Sequence, residues 1–269
     1  NLEVAWSYSL RNDSAESVRE PNSQATPIVI DGVMFLPTAD RVVALDPLTG
    51  EELWSHPVAL NAPSRRGVTY WAGQGGISPR IFYTAFDQLI ALDAASGELD
   101  LEFGESGRVT MGIPYISVPF VYKNIIVVGA NTPRGANGGI GNARAFDALS
   151  GRKLWEFESV PSPGNSGNET WEGDSWMGRL GANAWPFYFT VDESKDQLYI
   201  PLASPIPFAY GGDRAGSNLY ANSIVAVNIL TGEYDWHFQT IHHDLWDHDP
   251  PAPPTLFEVN YNGETTPAL

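Results

Sequence analysis

One seven-residue spelling recurs along this chain and restricts its folds more than any other feature. Ala44-Leu45-Asp46-Pro47-Leu48-Thr49-Gly50 leads to Trp54, and Ala145-Phe146-Asp147-Ala148-Leu149-Ser150-Gly151 leads to Trp155. Two weaker copies exist. Ala91-Leu92-Asp93-Ala94-Ala95-Ser96-Gly97 has Leu101 where Trp would stand, and Ala226-Val227-Asn228-Ile229-Leu230-Thr231-Gly232 keeps Trp236 but replaces Asp with Asn228. Each copy predicts a hairpin: an apolar strand, a tight turn in which Asp caps the backbone and Gly takes a positive φ, then a strand beginning near the Trp. Further β-rich runs lie upstream, such as Val33-Met34-Phe35-Leu36, Ile81-Phe82-Tyr83-Thr84 and Ile125-Ile126-Val127-Val128. Several short strands in each repeat of roughly 40–50 residues predict β-propeller blades. The alternative is an open β-sandwich whose turns are alike by chance. The periodic indole can span the gap between neighbouring sheets and donate its N–H to a backbone carbonyl. The expected blades cover about 20–60, 65–105, 110–158 and 183–240 within one partial propeller domain, 1–269. The tail from about 252 opens a fifth, and Trp6 suits a stray strand of a closing blade. A closed four-bladed ring does not accommodate these extras, so the chain reads as part of a larger ring, with Leu269 as a cut point.

The chain has 269 residues, with 15 Lys+Arg against 32 Asp+Glu, a net charge of −17 and no cysteine. Such acidity argues against a nucleic-acid surface, since phosphates are repelled, and disfavours anionic membranes. Without cysteine there are no disulfides, thiolate zinc sites, iron–sulfur clusters or Cys-x-x-Cys-His haem attachment within these residues. No apolar run approaches the roughly 18 residues of a transmembrane helix, and the first residues lack the pattern of a signal peptide, so the sequence reads as a soluble, already processed chain.

Departures from the repeat must carry the chemistry. The largest, about 160–183, interrupts two tryptophans and several acids with Gly and Pro, and is expected to be functional. Adjacent His242 and His243 on an extended segment would point to opposite faces, so both read as structural. Gly138-Gly139-Ile140-Gly141 lacks a following helix, against a phosphate loop.

Taken together, the repeat, Arg66-Gly67-Val68-Thr69-Tyr70, Gly129-Ala130-Asn131, Asn183-Ala184-Trp185, Gly211-Gly212-Asp213-Arg214, Leu219-Tyr220-Ala221-Asn222-Ser223 and His242-His243-Asp244-Leu245-Trp246-Asp247 resemble the pyrroloquinoline quinone (PQQ) dependent dehydrogenases. The resemblance covers essentially the whole chain. It implies an all-β, eight-bladed propeller of the quinoprotein type, of which this chain supplies about four blades and the start of a fifth. PQQ and a divalent cation, usually calcium, are implied near the ring axis.

Residue by residue, the resemblance implies that Asp247 is the catalytic carboxylate, taking the substrate hydroxyl proton as a hydride moves to the quinone. The alternative for Asp247 is a turn cap; Asp244 is expected to be structural. Trp185 matches the stacking floor under the quinone, and Arg66 the partner of the cofactor carboxylates. Ser117, Ala130 and Asn183 fall on cofactor-facing positions, with contact and backbone support both open. Asn131, Ser204 and Asp247 match the metal ligands, although the family often has Glu at the first position and Asn at the second. The family's second cationic residue would follow Asp247 by some 25–30 residues, beyond Leu269.

The implied function is oxidation of an alcohol, polyol or sugar, periplasmic or secreted, with a quinone or cytochrome as electron acceptor. The rest of the propeller is an implied partner, and any membrane attachment would reside in segments outside this chain. The glucose, polyol and quinate enzymes are nearest. The paired cysteines of the methanol and ethanol enzymes are missing, and Trp71 stands where the glucose enzymes show His. Two rivals remain: a non-catalytic scaffold binding protein partners, and a glycan-active propeller using Glu172 and Asp174.

Overall fold

The computed structural model describes residues 2–10, 24–58, 63–64, 66–131, 141–179, 181–184 and 189–269. The described strands make up four four-stranded antiparallel sheets and one two-stranded sheet. The first sheet is β1 (Ile28–Ile30), β2 (Val33–Pro37), β3 (Arg41–Leu45) and β4 (Glu52–Pro57), paired in chain order. The second is β5 (Thr69–Trp71), β6 (Arg80–Ala85), β7 (Gln88–Asp93) and β8 (Arg108–Thr110). The third is β9 (Phe120–Tyr122), β10 (Ile125–Val128), β11 (Ala143–Asp147) and β12 (Lys153–Phe157). The fourth is β13 (Thr190–Asp192), β14 (Gln197–Leu202), β15 (Ser223–Asn228) and β16 (Tyr234–Gln239), and β17 (Phe257–Tyr261) pairs with β18 (Glu264–Ala268). No described helix is long and apolar enough to cross a membrane.

Two compact units divide the chain, one of residues Asn1–Val128 and Phe146–Lys153, the other of Gly129–Ala145 and Leu154–Leu269. In the first unit, strand alternation distributes side chains between two cores. Ile81 and Tyr83 of β6 join Phe35, Val42 and Ala44 of the first sheet. Phe82, between them, faces the other way and packs with Ile126, Val128 and Phe146. Because both faces of β6 are covered, all six of its residues are buried, which is why the inner strands read as unbroken apolar runs rather than alternating ones.

The repeated turn follows the expected chemistry. Asp46 Oδ1 accepts from Leu48 N (2.7 Å) and Thr49 N (3.1 Å), and Asp93 Oδ1 from Ala95 N (3.0 Å) and Ser96 N (2.8 Å). Asn228 does the same with its amide oxygen, toward Leu230 N (2.9 Å) and Thr231 N (3.2 Å). Only acceptor geometry matters at that position, so Asn substitutes for Asp. The closing glycines, Gly50, Gly97, Gly151 and Gly232, have φ of 74°, 72°, 76° and 74°.

Three of those glycines, Gly50, Gly97 and Gly232, also form the docking surface for indoles, whereas Gly151 lies against Val109 and Gly104. Trp54 Nε1 donates to Ala94 O (3.1 Å) and Trp155 Nε1 to Ile229 O (2.8 Å). A Cβ built on Gly97 would lie 2.6 Å from Trp54 Cδ2, and one on Gly232 2.6 Å from Trp155 Cγ. Trp6 repeats the arrangement from outside the four sheets, with Nε1 donating to Pro47 O at 3.1 Å and its ring against Gly50.

The second sheet, which has Leu101 in place of Trp, solves the same problem differently. Leu101 is 68% exposed and takes no part. Arg80, with no exposure at all, sends Nη1 to Ala148 O (2.6 Å) and Leu149 O (2.7 Å) of the next repeated turn and Nε to Asp100 Oδ2 (2.6 Å). Its guanidinium lies 5.5 Å from the rings of Trp71 and Phe103. The planar fork suits this mixture of carbonyls, carboxylate and aromatic faces, which a lysine could not match.

Two outcomes are expected in denaturant unfolding. Gly97→Ala forces a methyl into the Trp54 ring and strains a positive φ, lowering stability by about 2–3 kcal/mol, whereas Ala at open Gly32 costs about 1 kcal/mol from φ alone. Arg80→Met strands Asp100 and two buried carbonyls and costs about 3–5 kcal/mol. Equal effects at Gly97 and Gly32, or an unchanged midpoint for Arg80→Met, would contradict the docking account.

Candidate active site

In the second unit, three segments are stitched edge to edge beyond the ends of the strands. Residues 181–184 run beside the end of β14: Ala203 N donates to Asn183 O (2.9 Å) and Ala182 N to Ser204 O (3.0 Å). Ala130 N donates to Ala184 O at 3.2 Å, and Ala184 N to Gly141 O at 2.6 Å. One backbone network therefore carries Ala130, Asn183 and Ser204, with Asn131 following directly in the chain. Gly141 is required there because a Cβ would sit 2.5 Å from Gly181 O and 2.6 Å from Asn183 Cα.

Ser204 links this network to the His242–Asp247 motif. The final pair of the β14–β15 ladder, Leu202 opposite Ser223, sets Ser204 and Asn222 on neighbouring chain ends. Asn222 Nδ2 donates to Ser204 Oγ (2.9 Å), and Ser204 Oγ to Asp244 Oδ2 (2.6 Å). Ser204 N donates to Asp249 Oδ1 at 2.7 Å. Asp244 is buried; although burial acts to raise its pKa, the hydrogen bonds from Ser204, His248 and Trp246 prevail and hold the carboxyl well below the ordinary carboxylate range. It is structural, as the sequence suggests.

Asp247, three residues on, is exposed and adopts φ 61°. Its pKa is raised, first by partial burial and then by repulsion from Asp249 and Asp244, with His248 opposing.

Arg66 and Ser117 belong to the first unit. Arg66 is half-buried, and its carbonyl accepts from Thr26 N at 2.9 Å. Ser117 is fully buried, with its carbonyl accepting from Thr84 Oγ1 at 3.1 Å. Trp185 lies outside the described residues, as does most of the Gly138–Gly141 run.

Of the adjacent histidines, His243 is not extended but left-handed, with φ 50°, and its Nδ1 donates to Gly216 O (2.8 Å), a structural tie, while His242 is exposed. The 160–183 loop is anchored rather than open. Trp171 is 2% exposed and its indole N–H is spent on Leu219 O. Leu219 N donates to Thr170 Oγ1 (2.8 Å), and Glu172 N to Ala215 O (3.0 Å). A buried Trp171 offers no stacking face beside Glu172 and Asp174, which weakens the glycan-active alternative.

Residues that the sequence reading left without a role complete the site. Arg214, fully buried, sends Nη1 to Asn218 Oδ1 (2.7 Å) and Nη2 to the carbonyl of Asp244. Asn222, Arg214 and Asp249 share the positioning of the 244–249 loop. The available signal was their place in or beside the motifs Gly211–Arg214, Leu219–Ser223 and His242–Asp247.

Among the described residues no group of three or more His, Cys, Asp or Glu is arranged to hold a metal ion. Neutral oxygens beside a carboxylate are the other donor type that hard cations accept. Asp247 with its repelled charge, Ser204 Oγ and the side-chain oxygen of Asn131 are donors of that kind. Asn222 Oδ1 is buried with no partner among the described residues.

A family profile described as PQQ: glucose/ethanol/alcohol dehydrogenase, β-propeller domain, matches residues 1–269. The chain is 31% identical to quinoprotein glucose dehydrogenase A of Acinetobacter calcoaceticus, over 100% of this chain and 38% of that protein. It is 30% identical to the quinohemoprotein alcohol dehydrogenase of Comamonas testosteroni, over 98% of this chain and 38% of that protein. The crystal structure of the Comamonas testosteroni quinohemoprotein alcohol dehydrogenase superposes with a TM-score of 0.80 at 28% identity, covering 98% of this chain and 41% of that one. The chain thus spans about 38% of the length of these curated relatives. That likeness identifies the four-stranded sheets as propeller blades. With the repeat, the fold and the match along its whole length in agreement, the chain belongs to the PQQ-dependent glucose/ethanol/alcohol dehydrogenase β-propeller family.

Proposed function

We propose that the protein to which these blades belong is a PQQ-dependent dehydrogenase that oxidises an alcohol, polyol or sugar. The observation that carries this reading is the family match over all 269 residues. Supporting it is the convergence of motif residues around Ser204, Asp244 and Asp249 in the second unit. The same match favours this reading over a protein-binding scaffold or a glycan-active propeller. The donor set fits the group: hard oxygens around a repelled carboxylate suit a divalent cation, and Arg66 suits an anionic cofactor in a chain of charge −17.

Bound PQQ supplies a carbonyl carbon that accepts hydride, and a divalent cation such as calcium supplies positive charge beside it. On the family resemblance, Arg66 would pair with the cofactor carboxylates, Trp185 would offer an aromatic face to the ring, and Ser117, Ala130 and Asn183 would line its edge. Asn131, Ser204 and Asp247 would hold the cation. Asp247 Oδ receives the substrate hydroxyl proton as the C–H hydride departs, so the carboxylate must be ionised when substrate binds. A periplasmic or secreted setting, reoxidation by a quinone or cytochrome and completion of the site by the remaining blades are part of the same proposal.

Reconstitution of the complete protein with PQQ and calcium is expected to give dye reduction that requires an alcohol or sugar and disappears with a chelator. Asp247→Asn should lower kcat by about 10²–10⁴-fold, the usual worth of a general base. Failure of the complete protein to change the PQQ absorbance on mixing would refute the enzyme reading. Arg66→Ala is expected to weaken PQQ binding by about 10–100-fold, as loss of a charge-assisted pair implies. Fluorescence titration measures this, and an unaltered binding constant would remove Arg66 from the site.

A further inference from the structure

We propose that Asp244 is a positioning residue for Asp247: its buried carboxylate fixes the turn that presents the Asp247 side chain. The inference rests on Asp247 being the base. Asp244 is only 2% exposed, and its two oxygens accept five hydrogen bonds. Two come from neighbouring chain ends, from Ser204 Oγ (2.6 Å) and Asn222 Nδ2 (3.1 Å). The other three come from the loop itself: Trp246 N (3.0 Å), His248 N (2.8 Å) and His248 Nδ1 (3.0 Å).

Trp246 and His248 are the residues on either side of Asp247. Both of their main-chain N–H groups are therefore tied to one carboxylate, and the residue between them is driven to the apex of the turn. Asp247 accordingly has φ 61°, a left-handed conformation that costs a residue with a Cβ about 1 kcal/mol and persists only where its surroundings impose it. The surroundings are redundant. Asn222 Nδ2 also donates to His248 O (3.0 Å), Ser204 N holds Asp249 Oδ1 (2.7 Å), and buried Arg214 grips the carbonyl of Asp244 itself.

Only a carboxylate can serve all five donors, because both of its oxygens are acceptors alone. An amide at 244 would turn an NH₂ toward either the Trp246 and His248 ring donors or the His248 N–H, Ser204 and Asn222 donors. The turn would then relax, and a displacement of about 1 Å at a reacting group is worth on the order of 100-fold in rate.

The test uses the complete enzyme reconstituted with PQQ and calcium, as Asp244→Asn, Asp247→Asn, the double variant and Asn222→Ala. Asp244→Asn is expected to lower kcat about 100-fold, with KM for the alcohol and PQQ affinity by fluorescence titration within about 3-fold of the parent. In the Asp247→Asn background the same change should cost no more than about 3-fold, since a residue acting through Asp247 has nothing left to position. In the cofactor-free protein, deuterium exchange of the peptide containing 244–249 should accelerate at least about 10-fold in Asp244→Asn and stay unchanged in Asp247→Asn. If Asp244→Asn does not fold, Asn222→Ala, which removes one donor and one tie to His248, should show the same pattern with a kcat loss of about 10-fold. A normal kcat for Asp244→Asn beside an inactive Asp247→Asn overturns this inference alone, as does a full multiplicative loss in the double variant. An Asp247→Asn enzyme with parental kcat overturns the function on which it rests.

Discussion

The seating of an indole on a glycine at the end of a neighbouring turn is the contact on which the rest depends. Each half of it is set by a different constraint. The turn must close with a left-handed residue, and it must leave room for a flat ring, so glycine satisfies both demands at Gly97 and Gly232. The indole then supplies a large apolar area, worth about 3–5 kcal/mol at the usual area coefficient, and one N–H that finds the turn carbonyl of Ala94 or Ile229. Because the contact joins one sheet to the next turn rather than strand to strand, it fixes sheet spacing without consuming ladder hydrogen bonds. Loops at the strand ends can then vary while the spacing of the strands stays fixed.

Arg80 shows what that contact requires once the indole is removed. The turn at Ala148 and Leu149 still presents carbonyls that must be met, and a guanidinium meets two of them while a carboxylate, Asp100, balances its charge. A buried cation is an expensive replacement, tolerated here because aromatic faces at Trp71 and Phe103 flank it. The turn carbonyl thus finds a donor in each case, an indole where the repeat supplies Trp and, in the second sheet, an arginine from a different strand.

What the sequence made legible follows from the range of the interactions. The turns at Asp46, Asp93 and Asn228 are decided within a few residues, so their spelling alone announces the cap, the glycine and the hairpin. The Trp docks were also legible, since the indole recurs in register with the turn. The role of Arg80 was not, because its partner carbonyl lies 68 residues away and a lone arginine reads by default as solvated. In the same way the motif His242–Asp247 displays two carboxylates of identical chemistry. Which one is buried depends on donors from Ser204 and Asn222, brought together only by the register that pairs Leu202 with Ser223. The 160–183 loop misled in part for the same reason: its tryptophans suggest a binding face, whereas Trp171 is turned inward to cap Leu219.

Division of labour between the two carboxylates is an electrostatic consequence of that register. Asp244 spreads its charge over five donors, beside the buried Arg214 cation, and so remains ionised without help. Asp247 has the opposite surroundings: partial burial, then Asp249 and Asp244, oppose its charge. Such a carboxylate is poised to accept either a proton or a cation, since each relieves the same repulsion. As proposed ligands, the neutral side chains of Asn131 and Ser204 would add oxygen without adding further negative charge. In a chain of net charge −17, a second carboxylate among the proposed ligands would deepen the repulsion. Within the proposed function, the negative charge that Asp249 and Asp244 place beside Asp247 is what a bound cation or an incoming proton would relieve.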